Sequence, residues 1–599
     1  MCGIGGALYF DGANDPGELR ALCAHFNRMQ SHRGPDDEGT WTDGRYCALS
    51  HRRLSIVDTS RRGRQPMGDP SGRYFITFNG EVYNFAELRT GLQKRGYEFR
   101  TRTDTEVLLA GYLEFGESIL QELDGMFAFA VYDSRERCLT LVRDRAGEKP
   151  LYFAASKDRF LFASELKPLA KAPGASPRLD PYGVFSYAVL RYVPAPNTIF
   201  EGLESLEPGS ILRVRADGRQ FRRFYFAYDR VGSYESSDVA ELAENVEDAL
   251  TDAVNRRLVA SDVPVGAFLS SGIDSSLVCA LAAKRIGRPL QTFCAGFESD
   301  GVDETGGAMA IARELGLQHR TYTVSSSDLL SVAASLGECL DEPNGDRSCV
   351  PVFLLSRAMR REMTVALSGD GGDELFCGYG RYLQFKDVRR DYPADSGAQV
   401  LERYFDVALP VFGIGTAQQA FPEEYAQWRD DFLDRYALLY MRSGWTDAQR
   451  LSVLDFHTYL PGAVLAKMDK MSMRHALEVR SPFFSPEVMR LSAALNADQC
   501  SGRETLKPVL RTILARYLPP ALISRQKIGF GMPASFMKTH SPFFLGLLDK
   551  AREVLAETNF FSSRRKAFLL LSANAPRNIN SMWALVALGL WVDSLGLGV

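Results

Sequence analysis

The ten cysteines and seven histidines of this 599-residue chain form no tight cluster, and no CxxC pair occurs. That argues against a structural metal site and against a disulfide framework, and it points to a reducing, cytoplasmic compartment. Long apolar runs are missing as well. The most apolar late stretch, Met582 to Leu590, is far too short to span a bilayer and predicts a buried C-terminal helix, so no membrane partner is expected. The N-terminus lacks a basic segment followed by an apolar one, so no signal peptide is expected. Charge of one sign is not in excess: 70 Lys and Arg stand against 74 Asp and Glu, with a pI near 6.1. A nucleic-acid partner, which calls for a basic patch, is not expected. What remains is a soluble globular composition in a chain too long for one ordinary core, so two large domains are expected.

The chemistry begins at Cys2-Gly3-Ile4-Gly5-Gly6, behind an initiator Met1. Cys is small enough for Met1 to be clipped, which leaves a thiol and a free α-amine on one residue. A thiol attacks as the thiolate, and an α-amine, titrating near ~8, serves as a general base close to neutral pH. Downstream, the apolar runs Tyr74 to Phe78 and Met126 to Tyr132 predict strands, and Glu106 to Leu113 and Gly116 to Leu123 predict helices. Polar clusters interrupt them: Ser31 to Asp37, His51 to Asp58, Asn79-Gly80-Glu81, and Thr103-Asp104-Thr105-Glu106. Asn-Gly ordinarily marks a hairpin turn, and Thr-Asp-Thr a helix cap. Together with Cys2 they make an amino-acid site. Arg suits an α-carboxylate, Asp104 and Glu81 suit an α-ammonium, and Asn79 with the Gly80 amide can donate to the oxyanion formed when a thiolate attacks an amide.

These residues resemble the class II glutamine amidotransferases, a family of N-terminal-nucleophile hydrolases. The likeness continues through Arg143-Asp144-Arg145, Lys149 to Tyr152 and Ala163 to Lys167. It implies hydrolysis of glutamine to glutamate and ammonia, with Cys2 as nucleophile. It also implies glutamine held by Arg53, Leu54, Ser55, Ile56, Val57, Asn79, Gly80, Glu81 and Asp104. The implied fold is a four-layer α/β/β/α sandwich.

A tight turn at Leu206 to Ser210 and a strand ending near Tyr225 close this half. The polar segment 229–238 reads as a linker, giving expected domains of 2–228 and 239–599. Ser237 or Asp238 can cap the next helix, which carries Leu242, Val246, Leu250, Val254 and Leu258 on one face. The segment Asp262 to Leu269 then ends as a buried strand and runs into Ser270-Ser271-Gly272-Ile273-Asp274-Ser275-Ser276 and a helix. Strand, small-residue loop and helix make a phosphate cradle. No Lys follows as in the kinase loop, and the motif resembles the pyrophosphate loop of ATP pyrophosphatases. After the strand Met363 to Leu367 comes Ser368-Gly369-Asp370-Gly371-Gly372-Asp373-Glu374, whose crowded acids call for a cation. Asp274 and Asp373 are the candidate Mg²⁺ ligands, since that ion takes a few carboxylates plus phosphate oxygens. In Ser524 to Gly531, Lys527 can neutralise charge on a transferring phosphate.

As a set, these motifs are similar to the glutamine-hydrolysing asparagine synthetase family over essentially the whole chain. Asp341-Glu342-Pro343, Leu465 to Met473 and Leu477 to Phe483 extend the match, the last two expected to serve packing. The resemblance implies ATP bound by Phe268, Ser270, Gly272, Asp274, Ser275, Ala295, Ser368 and Gly369. It makes Asp370 the acid near an acyl-adenylate and places Lys527 at the pyrophosphate. Ammonia would cross an internal tunnel to displace AMP from a carboxylate, most simply that of aspartate, and a homodimer is the implied association. Three departures stand out. Ser271 replaces a usual Gly, Asp370 replaces a frequent Glu, and Arg347 lies in Asn344 to Pro351, where it can grip an acceptor carboxylate. They keep open another acceptor for the same chemistry, from cell-wall, polysaccharide or secondary metabolism. A non-catalytic glutamine- or nucleotide-binding scaffold is the remaining reading. The segment 387–450 and the tail beyond Lys538 carry no motif and read as helical packing.

Overall fold

The computed structural model describes residues 1–13, 15–229, 239–287, 289–298, 305–391, 397–408, 412–419, 421, 427–440, 446–495, 497–500, 505–524, 531–557 and 579–596. Twelve strands build the first half: β1 (Gly3–Tyr9), β2 (Asp37–Thr42), β3 (Cys47–Arg53), β4 (Met67–Gly68), β5 (Tyr74–Val82), β6 (Gly125–Asp133), β7 (Cys138–Arg143), β8 (Tyr152–Ala155), β9 (Arg159–Ala163), β10 (Leu203–Ser205), β11 (Ser210–Arg215) and β12 (Gln220–Phe224). They form two six-stranded antiparallel sheets, ordered β10-β8-β9-β1-β3-β2 and β12-β11-β7-β6-β5-β4. Alternate residues of the two sheets, among them Ile4, Leu8, Leu49, Ala130, Leu141 and Phe162, meet in a dry core between them. On the outer faces, the helix Pro16–Met29 packs Leu22 and Phe26 against Ala7 and Ala48. The helix Asp104–Phe115 packs Leu108 and Leu109 against Ile76 and Phe78. The four-layer α/β/β/α order expected from the sequence is therefore present.

Asn79-Gly80 does not turn the chain. It lies inside β5, with Asn79 opposite Ala128 and Gly80 opposite Phe127. Gly80 has φ +152°, and a Cβ there would stand 2.1 Å from the Met126 carbonyl oxygen. The glycine is needed for the close approach of β6, not for a hairpin. The stretch 116–123 divides into a short 3-10 turn at Gly116–Ser118 and one α-turn at Ile119–Glu122.

The second half is built on a five-stranded parallel sheet of β13 (Val265–Phe268), β14 (Gln291–Phe297), β15 (Gln318–Val324), β16 (Val365–Leu367) and β17 (Glu478–Arg480), ordered β15-β14-β13-β16-β17. The helix Val239–Val259 buries Leu242, Val246, Leu250 and Val254, as its spacing predicts. Its expected cap and most of the expected linker lie outside the described residues. Helices make up most of the other described residues. In the last, Ile579–Leu595, the stretch from Met582 to Val592 is apolar and buried on every side, and Trp591 Nε1 donates to the Asp341 carbonyl at 3.1 Å. Among the described residues no helix is long and apolar enough to cross a membrane, and none of the ten cysteines is in a disulfide.

Leu141 sits wholly buried between the antiparallel sheets. Leu141→Ala is expected to destabilise the first half by about 2–5 kcal/mol, the range for a buried leucine that leaves a cavity. Urea unfolding followed by tryptophan fluorescence measures it as a lower midpoint at unchanged slope.

Candidate active site

Two groups of side chains converge, one in each half. In the first, β1 brings Cys2 beside β5, and the Cys2 amide donates to Asn79 Oδ1 at 2.8 Å. The other end of that side chain, Asn79 Nδ2, is buried without a hydrogen-bond partner. A buried donor left over beside a thiol is an arrangement that can serve an oxyanion. Burial pushes the Cys2 thiol up, while the chain's terminal ammonium, the Leu54 amide and Arg53 pull it down. Arg33, wholly buried, donates through Nε to the Cys2 carbonyl at 3.0 Å and fixes the residue from behind.

The expected glutamine residues gather here with a division of labour. The Arg53 fork holds the carbonyls of Asp58 at 2.6 Å and Ser60 at 2.7 Å. It thereby shapes the loop containing residues 54–57. Leu54 and Ile56 turn into an apolar cluster with Met1, Tyr83 and Met126, so they present backbone to the site. The Ser55 amide is anchored on Asp36 at 2.8 Å. Glu81 and Asp104 are buried neighbours. Burial, then the charge of Asp104, holds the Glu81 carboxyl well above its ordinary range. Burial lifts Asp104 to about 6 against its accepted bond from the Val82 amide. Arg480 lies 3.5 Å from Glu81 Oε1, and Glu81 Oε2 makes no hydrogen bond.

In the second half the chain runs outward from β13 to β14 and β15 and returns to β16 on the other side of β13. The cleft between β13 and β16 is thus a topological switch point, where open parallel sheets bind ligands. The two loops that leave these strands line one cavity. It contains Phe268, Ser270, Gly272, Asp274, Ser275 and Ala295 together with Ser368, Gly369, Asp370 and Asp373. Within the first loop Ser270 Oγ lies 2.9 Å from Ser275 Oγ and accepts the Gly272 amide at 3.0 Å. The helix Ile273–Arg285 then starts with its amide end at the cavity. A Cβ on Gly369 would meet the Ser275 nitrogen at 2.7 Å, and one on Gly372 the Asp274 Cγ at 2.6 Å, so the loops interlock only as glycines. Ser368 Oγ donates to Asp370 at 2.9 Å, and burial raises the Asp370 carboxyl despite Lys467.

Sequence reasoning missed Lys507. Its ammonium bridges Asp274 at 2.5 Å and Asp373 at 2.6 Å, between the two carboxylates expected to hold Mg²⁺. Among the described residues no group of three or more His, Cys, Asp or Glu is placed to hold a metal. The pair nevertheless fits an ion that takes most of its ligands from phosphate and water. Lys467 was also missed as a charged group. It pairs with Asp346 at 2.9 Å, and the half-buried Asp346 is held far below the usual range by Lys467 and Arg191. Arg347 does not line the cavity; it donates to the Met532 carbonyl at 2.9 Å. Lys527 lies outside the described residues. The segments Leu465 to Met473 and Leu477 to Phe483 do more than pack. Asp469 takes both Arg33 nitrogens, at 2.8 and 3.1 Å, and Arg480 reaches Glu81 at 3.5 Å.

Two family models match the chain: a glutamine amidotransferase domain over residues 1–225 and asparagine synthase over residues 245–593. The chain belongs to the asparagine synthase family. Its activity class is that of a glutamine amidotransferase that uses ATP. Among curated relatives, asparagine synthetase [glutamine-hydrolyzing] 1 of Bacillus subtilis is 31% identical over 89% of this chain and 87% of its own. A putative asparagine synthetase [glutamine-hydrolyzing] of Mycobacterium tuberculosis is 35% identical over 89% and 88%.

Asp104 ties the site to pH. Its carboxyl holds a proton more tightly folded than unfolded, so its contribution is fully present below about 4 and is lost as pH rises through about 6. Relative to Asp104→Asn, the protein is expected to lose about 3 kcal/mol over that interval. Urea midpoints of both proteins at pH 4 and pH 7 test it; parallel curves would refute it.

Proposed function

We propose that the chain amidates a carboxylate with ammonia from glutamine, most simply converting aspartate, glutamine and MgATP to asparagine, glutamate, AMP and pyrophosphate. The observation that carries this reading is the pairing of a buried Cys2 beside an unpartnered Asn79 amide with a nucleotide-sized cleft at the β13/β16 switch point. In the first centre, once Met1 is removed, the Cys2 amine takes the thiol proton and the thiolate attacks the glutamine amide. Asn79 Nδ2 and the Gly80 amide receive the oxyanion. Glu81 and Asp104 hold the α-ammonium, and the loop shaped by Arg53 holds the α-carboxylate. Ammonia leaves, and water releases glutamate from the thioester.

In the second centre the Ser270–Ser275 loop and the helix N-terminus cradle the phosphates, and Phe268 and Ala295 flank the nucleotide. Lys507, with Lys527, balances the pyrophosphate. Asp274 and Asp373 would hold Mg²⁺, which supplies charge neutralisation on the phosphates. Asp370 faces the carboxyl being adenylated. A narrow internal cavity lined by Met1, Lys149, Met468, Asp469, Ser368 and Asp370 lies between the centres, which supports passage of ammonia inside the protein.

The same geometry favours a second reading in one respect. Arg347 Nη1 donates to the Met532 carbonyl and Arg347 does not line the cavity, which supports the same chemistry on an acceptor other than aspartate, from cell-wall, polysaccharide or secondary metabolism.

Purified protein with MgATP and ammonium is expected to release pyrophosphate in an acceptor-dependent way. Phosphate in its place would overturn the mechanism, and pyrophosphate that ignores aspartate would shift the acceptor to the second reading. Cys2→Ala is expected to abolish glutamine-dependent turnover and to keep ammonium-dependent turnover, measured by the same assay. Chelation with EDTA is expected to stop pyrophosphate release and to leave glutamate release from glutamine.

A further inference from the structure

The terminal ammonium of Met1 is wholly buried, and it donates to Glu478 Oε2. Glu478 belongs to β17, in the other half of the chain, and is itself fully buried. Its other oxygen, Oε1, accepts Arg480 Nε at 2.7 Å. The carboxylate is therefore fixed by one arginine and turns its free edge toward a primary ammonium. Burial opposes its ionisation, but the Met1 ammonium, Arg480 and Lys149 outweigh burial and hold the group at about 2. Met1 also lines the narrow cavity that Asp370 lines, together with Val479, the residue after Glu478, and Ser481.

Clipping Met1 removes that ammonium and leaves the carboxylate in place. The new Cys2 amine is already held by Asn79 Oδ1 at 2.8 Å, so Glu478 Oε2 is left without a donor. A buried carboxylate oxygen without a partner is expensive. The restoring group must be small, cationic and rich in N–H donors. Ammonia released at Cys2 meets that description as ammonium, the unsubstituted form of the R–NH₃⁺ the site accommodates. We propose that Glu478 forms an ammonium-binding site in the processed chain, the first station between the nucleophile and the adenylating centre. The inference rests on the glutamine-to-carboxylate reading above and adds a ligand site to it.

Thallous ion, a monovalent cation of ammonium size, is the probe. Crystals of protein shown by intact mass to begin at Cys2 are soaked in thallous acetate, and the anomalous map is read. A peak beside Glu478 Oε2 is expected, absent from protein that keeps Met1. No peak, or a Cys2 amine bonded to Glu478, overturns the site. In solution, Glu478→Gln keeps the volume and one hydrogen bond to Arg480. The ratio of pyrophosphate formed to glutamate formed is expected to fall at least threefold. An unchanged ratio overturns the proposal, and the thallium map decides alone if the variant does not fold. Wild-type protein that makes glutamate but no pyrophosphate with any acceptor overturns the earlier functional reading, while the thallium map still reports on Glu478.

Discussion

Buried charge at the junction of the two halves governs the rest of this molecule. An arginine without water or a partner is strongly destabilising, whereas one whose donors are all engaged is tolerated and directional. Arg480 comes close to that condition: its Nε and Nη1 gather acceptors from distant parts of the chain, while Nη2 makes no hydrogen bond and only faces an acid. It bonds the carbonyls of Arg257 and Ala260 at 2.7 and 2.8 Å, and Glu478 at 2.7 Å, and faces Glu81 at 3.5 Å. The first two close the C-terminal end of the helix Val239–Val259, where carbonyls lack partners. Arg33 is its counterpart from the first half, spanning the Cys2 carbonyl and Asp469. Cys2 and Glu81 are therefore each reached by an arginine that is tied to the opposite half.

The backbone carries the same connection. β17 pairs in parallel with β16, the Ser368 amide bonds the Arg480 carbonyl at 2.9 Å, and Ser481 Oγ donates to the Asp370 carbonyl at 2.6 Å. One three-residue strand thus holds the acidic loop by its main chain and faces Glu81 with a side chain. Arg257 adds a second brace. It donates to the Ser481 carbonyl at 2.8 Å while its guanidinium lies 4.2 Å over the Tyr83 ring.

Much of this was legible in the sequence, for reasons that differ by residue. Strands β5 and β6 and the helix Val239–Val259 announce themselves by period, because one face of each is buried. The Ser270–Ser276 and Ser368–Glu374 loops are legible because phosphate chemistry needs contiguous small residues after a strand. Cys2 is legible as a candidate because a thiol directly behind an initiator Met is a feature of the sequence itself. Asn79-Gly80 reads locally as a turn, and only the approach of Met126, 46 residues on, makes it a strand position. Lys507, Lys467, Glu478 and Arg480 were illegible as functional groups, since their partners are remote in sequence. Lys507 finds Asp274 across 233 residues, and Lys467 finds Asp346 across 121. Nothing in the local pattern of a lone lysine distinguishes it from a solvated one.

The shortness of β17 has a consequence for how such a protein is taken apart. Cutting the chain between its halves would not release two self-sufficient enzymes. The amidotransferase half would keep Glu81 and Asp124 in apolar surroundings with their arginines gone, and the other half would expose Arg257 and Arg480 on a surface shaped for burial. The fusion is in that sense electrostatic before it is covalent: each fragment is the counter-ion of the other.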